Sequence, residues 1–398
     1  MKRPELHLGT IASQIAPLVA PLDETPPAGA RRAISRAVIA TGIVTPYTHR
    51  IYEGLATGHG IDLHVFACAP TEPNRHWQLE EARSYRRVVM RGLRWHRGQG
   101  QNVYLNPGIA AEILRLRPDV VVVGDFSPTM LLAAAVARMI GIPVSIASNT
   151  IPGFDPGETS RIHLLARRMM ARIAGSAIGG SQATLDVLAG YGIAVGRGTQ
   201  RPVVPGWDYH GPIPARSERP YDVLFCGLID ERGKGALHFL ETVKTLLARG
   251  RPLKVRVAGE GPLRQRLADE FAAIGIEARF DGYLQQDELA EAYLSSKLLL
   301  FPSRHDAWGI VANEAAQCGT PILISPLAQA AFGLVERFGA GAVLPLEVPA
   351  WADAVERYLD DEALWRQASD GGLAASRHLT LDAAVRGFVR GMDMARGE

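Results

Sequence analysis

Two carboxylates, Asp306 and Glu314, stand eight positions apart around a turn in an apolar stretch, Leu298 to Ser325, that reads LLLFPSRHDAWGIVANEAAQCGTPILIS. Leu298 to Phe301 suits a buried strand, which Pro302 ends. A polar loop follows, then a helix expected from Gly309 to Cys318, a stop at Gly319-Thr320-Pro321, and a second apolar strand, Ile322 to Ile324. Strand, loop, helix and strand make a βαβ unit, which sets parallel strands in one sheet. The loop then lies at the carboxyl end of a strand and the amino end of a helix. Ligands settle there in open α/β sheets, and backbone N–H groups with the helix dipole favour an anion. An acid on either side of such a turn suits a ligand with phosphates in its middle and hydroxyls at both ends, as in a nucleotide-sugar. The alternative is a βαβ unit with helix-capping acids that binds nothing.

The wording of this stretch resembles the E-x7-E region of family 4 glycosyltransferases, which have the GT-B fold. Pro302, Ser303, Gly309, Glu314, Ala315, Gly319 and Pro321 fall in place; Asp306 stands where the family has Glu, and Trp308 where it has Phe. Three further matches precede it in order. Gly227-Leu228-Ile229-Asp230-Glu231-Arg232-Gly233-Lys234-Gly235 carries the Lys-Gly of the family but has Leu228 for its usual Arg, leaving Arg232 or another basic group to compensate. Gly259-Glu260-Gly261-Pro262 is a strand-end turn of small residues, which let a backbone approach a nucleotide. Gly282-Tyr283-Leu284 precedes a helix that opens with acids.

The resemblance implies an α/β GT-B fold, two Rossmann-like doubly wound domains facing across a cleft, and a retaining transfer of sugar from a UDP- or GDP-linked donor. It gives Asp306, Glu314 and Lys234 the chemistry. Lys234 and the N–H groups of Gly309, Ile310 and Val311 would face the diphosphate, Glu314 the ribose and Asp306 the sugar. Gly227, Arg232, Gly259, Gly261, Tyr283, Leu284, Ser303 and Trp308 complete the expected donor site. Family members generally need no bound metal, and no permanent cofactor is expected. The expected acceptor is a lipid-linked or polysaccharide-precursor glycan. Another GT-B enzyme, such as a sugar-nucleotide epimerase, and a non-catalytic nucleotide or sugar binder are the competing readings.

The 398 residues, 47% hydrophobic with 41 Gly and 26 Pro, are enough for two α/β domains. Residues 1–205 carry 22 Lys and Arg against 14 Asp and Glu, whereas residues 206–398 carry 21 against 27. The first half therefore expects an anionic partner: a lipid headgroup, a phosphorylated acceptor or nucleic acid. The acidic second half speaks against nucleic acid. Cys68, Cys226 and Cys318 lack metal-ligand spacing and a disulfide framework, which fits a reducing compartment. With no run of 18 apolar residues, a cytoplasmic location is expected, free or at the inner face of the membrane.

The expected organisation is a loose extension over 1–34, a Rossmann-like acceptor domain over 35–205, a Pro/Gly-rich linker over 206–219, a nucleotide-sugar domain over 220–375, and a last helix within 376–398 that crosses back onto the first domain. On the acceptor side, His49 and Arg50 follow the first strand, Asp125 follows strand Val120 to Val123, and His163 opens a basic amphipathic helix, Thr159 to Ala174. That helix, and seven arginines interleaved with Trp77, Tyr85 and Trp95 between 75 and 97, could meet an anionic membrane or be plain solvated faces.

Overall fold

Short runs of apolar residues, each closed by glycine or a polar turn, build two parallel sheets. The structure, a computed structural model, describes residues 33–72, 79–96 and 102–397. Most of the expected 1–34 extension, and Arg75, Trp77 and Arg97, lie outside the described residues. Ile34–Glu398 forms one unit.

Its first half runs β1 (Arg36–Thr41), α1 (Pro46–His59), β2 (Asp62–Ala67), β3 (Arg86–Val89), a hairpin of β4 (Leu93–His96) and β5 (Asn102–Leu105), α2 (Gly108–Leu116), β6 (Val120–Val123), α3 (Pro128–Met139), β7 (Val144–Ser148), α4 (Arg161–Ile173), β8 (Ser176–Gly179), α5 (Gln182–Gly190) and β9 (Gly198–Gln200). Seven strands pair in the order β3-β2-β1-β6-β7-β8-β9. Alternate strand residues serve opposite layers. Val38 and Ala40 of β1 join the core under α2–α5, whereas Ala37 and Ile39 join the core on the α1 side.

The second half runs β10 (Tyr221–Cys226), α6 (Ala236–Ala248), β11 (Val255–Ala258), α7 (Arg264–Ala273), β12 (Ala278–Gly282), α8 (Gln286–Leu294), β13 (Ser296–Phe301), α9 (Ile310–Gln317), β14 (Ile322–Ile324), β15 (Gly341–Val343), α10 (Val348–Asp360), α11 (Glu362–His378) and α12 (Leu381–Arg396). Its sheet order is β12-β11-β10-β13-β14-β15, also all parallel. The order reverses between β10 and β13, so the crevice between them is a switch point at which such sheets bind ligands.

Helix α12 closes the first half. Phe388 meets Tyr52 edge-on with centroids 6.4 Å apart, and Ser176 Oγ donates to the Gly391 carbonyl at 2.6 Å. The chain between the sheets is anchored at both ends. Arg50 donates to the Pro205 carbonyl at 2.8 Å, and the buried Arg219 donates to the carbonyls of Tyr293, Ser296, Cys318 and Gly319.

Three features depart from the sequence reading. The arginine-rich segment contains a strand, β3, at the sheet edge, where charged side chains are tolerated. Helix α11 has poor local propensity around Gly371-Gly372, but a Cβ on Gly372 would stand 3.2 Å from Ala316 Cα, so the glycine lets α9 and α11 approach. On α4, Met170 and Arg167 are buried, while Ile162, Leu165 and Met169 face outward, so the expected single apolar face is split.

Candidate active site

Four strand-end turns meet above β10, β11, β12 and β13, and glycines allow it. A Cβ on Gly259, at φ +139°, would lie 1.9 Å from the Gly227 carbonyl oxygen, and one on Gly261 would lie 2.5 Å from that of Ile229. The close approach these glycines permit is therefore between turns of the protein itself. Gly259 N donates to the Gly282 carbonyl at 2.7 Å, drawing in the third turn. There Tyr283 is exposed, while Leu284 packs against the core under α8 and α9.

The turn after β10 is shaped by Asp230, whose carboxylate accepts from Gly233 N at 3.1 Å and Lys234 N at 3.0 Å. It is stitched to the turn after β13. Ser303 Oγ donates to the Gly233 carbonyl at 2.9 Å, and Arg304 N donates to the same oxygen at 2.9 Å. Ser303 is fully buried, so its hydroxyl joins the turns and is not offered to the cleft. Lys234 Nζ pairs with Asp306 Oδ2 and stands 5.0 Å from the centre of the Phe301 ring. Burial would raise the Asp306 carboxyl, but Lys234 beside it outweighs that and holds it below the usual carboxylate range. An ammonium carries three donors. One is used on Asp306, so the pair aims the lysine without exhausting it.

Gly309 caps α9 in the left-handed region, φ +94°, where any Cβ would strike the Phe301 ring at 2.5 Å. The N–H groups of Ile310 and Val311 open the helix, where no intrahelical acceptor reaches them. Trp308 is buried and donates its indole N–H to Asn313 Oδ1 at 2.5 Å, so it supports the turn from behind. Glu314, one turn into the helix, is 8% exposed, and its Oε2 accepts from the Tyr293 hydroxyl at 2.8 Å. Burial pushes its carboxyl up to about 7. Arg232, two residues before Lys234, is exposed, and Leu228 is half-buried.

The expected acceptor-side residues have separate surroundings. His49 is buried, with Nδ1 2.9 Å from the Tyr85 hydroxyl, and burial lowers its pKa. Arg50 pairs with Asp208 and ties α1 to the chain between the sheets. His163 is exposed on the first turn of α4. Asp125 follows the end of β6, with Oδ1 accepting from Ser127 N at 2.6 Å and burial raising its pKa. Among the described residues no three His, Cys, Asp or Glu side chains are gathered to hold a metal, and no helix is long and apolar enough to cross a membrane.

Sequence reasoning missed Tyr293, Asp230, Asn313 and the Phe154–His305 stack. Only Asp230 carried a local signal, an acid three residues before a glycine.

Residues 44–199 match a family model described as Glycosyltransferase Family 4, and residues 212–372 match one described as Glycosyl transferases group 1. An alpha-D-kanosaminyltransferase of Streptomyces kanamyceticus is 32% identical over 150 residues, 37% of this chain and 38% of that protein. A sulfoquinovosyl transferase of Arabidopsis thaliana is 28% identical over 236 residues, 55% of this chain and 45% of that one. The chain thus aligns with less than half the length of these curated relatives. Among solved structures, Anabaena HepE in complex with UDP and glucose superposes with a TM-score of 0.66 at 16% identity, over 89% of this chain and 98% of that one. The lipopolysaccharide outer core galactosyltransferase WaaB does so with a TM-score of 0.64 at 12% identity, over 90% and 99%. The chain belongs to the family 4 glycosyltransferases, built as the two Rossmann-like domains of the GT-B fold.

Proposed function

We propose that the protein is a retaining glycosyltransferase that moves a sugar from a UDP- or GDP-linked donor to a lipid-linked or polysaccharide-precursor acceptor. The observation that carries this reading is the Lys234–Asp306 pair set beside the amino end of α9, with Glu314 one turn behind. Breaking the bond between the anomeric carbon and the phosphate oxygen puts negative charge on the leaving diphosphate. Lys234 and the N–H groups of Ile310 and Val311 meet that charge with dipoles fixed in advance. Asp306 takes the sugar hydroxyls and Glu314 those of the ribose. The acceptor oxygen bonds to the anomeric carbon on the face the phosphate leaves, and its proton passes to the departing phosphate. No metal is assigned a part.

The UDP and glucose in the HepE complex support a nucleotide-sugar donor here, and the kanosaminyl and sulfoquinovosyl transferases support a glycosidic product. For the acceptor, the basic first half supports a phosphate-bearing or membrane-borne molecule. At 3.6 residues per turn, Arg161, Ile162, Leu165, Arg168, Met169 and Arg172 of α4 share one arc of roughly 120°, and all six are exposed. Apolar and basic side chains interleaved in this way suit the interface of an anionic bilayer. Three buried free cysteines suit the cytoplasmic side. The test is a thermal-shift screen against UDP, GDP and their sugar conjugates, followed by a search for nucleotide release with glycolipid acceptors. A protein stabilised by no nucleotide refutes the reading.

A further inference from the structure

We propose that Phe154 is a positioning residue for sugar transfer: stacked on His305 across the cleft, it holds the loop bearing Asp306 against the sugar end of the donor. The inference rests on the donor-site reading above and adds to it a residue from the other half of the chain. Phe154 lies between β7 and α4, whereas His305 immediately precedes Asp306. Their ring centroids are 3.9 Å apart and their planes meet at 26°.

A phenylalanine that is 44% exposed in a loop would be free to turn away unless the loop were held. Here it is held on both sides. Asp155, next in sequence, is buried and accepts from Gly157 N at 2.6 Å, from Tyr191 Oη at 3.1 Å, and from Arg167 and Thr150. Gly153 N, on the other side, donates to Glu158 at 2.9 Å. The carboxylate that anchors the loop is fully occupied, so the ring beside it is presented from a rigid base. The guanidinium of Arg167 also lies 4.5 Å from the Phe126 ring, next to Asp125. The acceptor-side strand end is thereby linked to the stack.

His305 is tied through its backbone. Its main-chain N–H donates to the Gly233 carbonyl at 3.3 Å, in the turn that also accepts from Ser303 and Arg304. Burial lowers the imidazole pKa, so the ring that meets Phe154 is neutral near pH 7. Phe154 thus reaches the reaction through His305 and its neighbour Asp306, the group assigned to the sugar. The nucleotide is assigned to turns of the second half alone, whereas the sugar faces the stack. Loosening the stack should cost affinity for the sugar and not for the nucleotide.

The experiment is calorimetric titration of wild type, Phe154→Ala, Phe154→Tyr, His305→Ala and the Phe154→Ala/His305→Ala double variant with UDP, UDP-glucose, GDP and GDP-mannose. For whichever pair wild type binds, Phe154→Ala should leave the diphosphate Kd within about twofold and weaken the sugar nucleotide roughly three- to tenfold, as loss of one aromatic pair implies. Phe154→Tyr should restore the sugar nucleotide affinity, and the double variant should be no worse than either single one. Equal weakening of both ligands, no change in either, or tighter binding of the sugar nucleotide each overturns the proposal. A wild-type protein that binds none of the four overturns the donor reading itself, and this inference with it.

Discussion

The hydroxyl of Tyr293 donates to Glu314 Oε2 at 2.8 Å, across 21 residues of sequence and inside the core. The carboxyl group assigned to the ribose is thus held from beneath, with its pKa near 7 because it is buried. Between its unfolded value, 4.5, and about 7, the folded protein keeps a proton that the unfolded chain has lost. Stability contributed by this group therefore falls as pH rises through that window. Glu314→Gln, which still accepts from Tyr293, should gain stability over wild type by about 3 kcal/mol between pH 4.5 and pH 8. Urea unfolding at the two pH values measures it. A constant difference between the two proteins would contradict the assignment. The same variant should lose transfer activity while keeping its circular dichroism spectrum.

Lys234→Ala removes the cation of the proposed donor turn and leaves Asp306 in a half-buried site without its partner. Transfer should be abolished and the Kd for the nucleoside diphosphate raised at least about tenfold, a loss of ~1.4 kcal/mol. The Asp306 carboxyl should at the same time rise from its depressed value. Its stabilising contribution, present in wild type above the ordinary Asp pKa and lost as pH falls through the lower folded value, should disappear. Retention of wild-type kcat/KM would remove Lys234 from the site.

Asp155 is buried against Arg167, and Asp155→Ala would leave that guanidinium uncompensated. The expected loss is about 3–5 kcal/mol, read from chemical denaturation. Asp155→Ala/Arg167→Met should recover much of it, because the unpaired charge goes with the arginine.

Gly259→Ala should destabilise by about 1–3 kcal/mol or more, since neither the backbone angle nor the Gly227 carbonyl can accommodate a methyl group. Gly58→Ala, on the last turn of α1 and meeting nothing within 4 Å, is the control and should be neutral or stabilise by up to about 1 kcal/mol. Differential scanning calorimetry of the two variants separates turn packing from helix propensity.

For the proposed membrane contact, wild type should float with anionic vesicles at low salt and release as salt rises. Ile162→Ser/Leu165→Ser, both at exposed positions, should lose vesicle binding without a change in Tm. Equal binding by wild type and this variant would assign the contact to another surface.

The sequence by itself determined the alternation of strands and helices, because each element carries its own period and its own stop. Val120–Val123 and Ile322–Ile324 could hardly be anything but buried strands, and Gly319-Thr320-Pro321 could only end a helix. It also singled out the strand-end turns on which the proposed donor site is built, since the spacing of Asp306, Gly309 and Glu314 is local. It did not reveal β3 or α11, whose local composition argues against them and whose place is granted by a sheet edge and by close packing on α9. Nor could it say that Lys234 pairs with Asp306, that Tyr293 holds Glu314, or that Phe154 reaches His305, for these partners lie far apart in sequence. Local pattern sets backbone conformation through sterics and burial. Which side chains meet is settled only when two sheets and their turns close on one another.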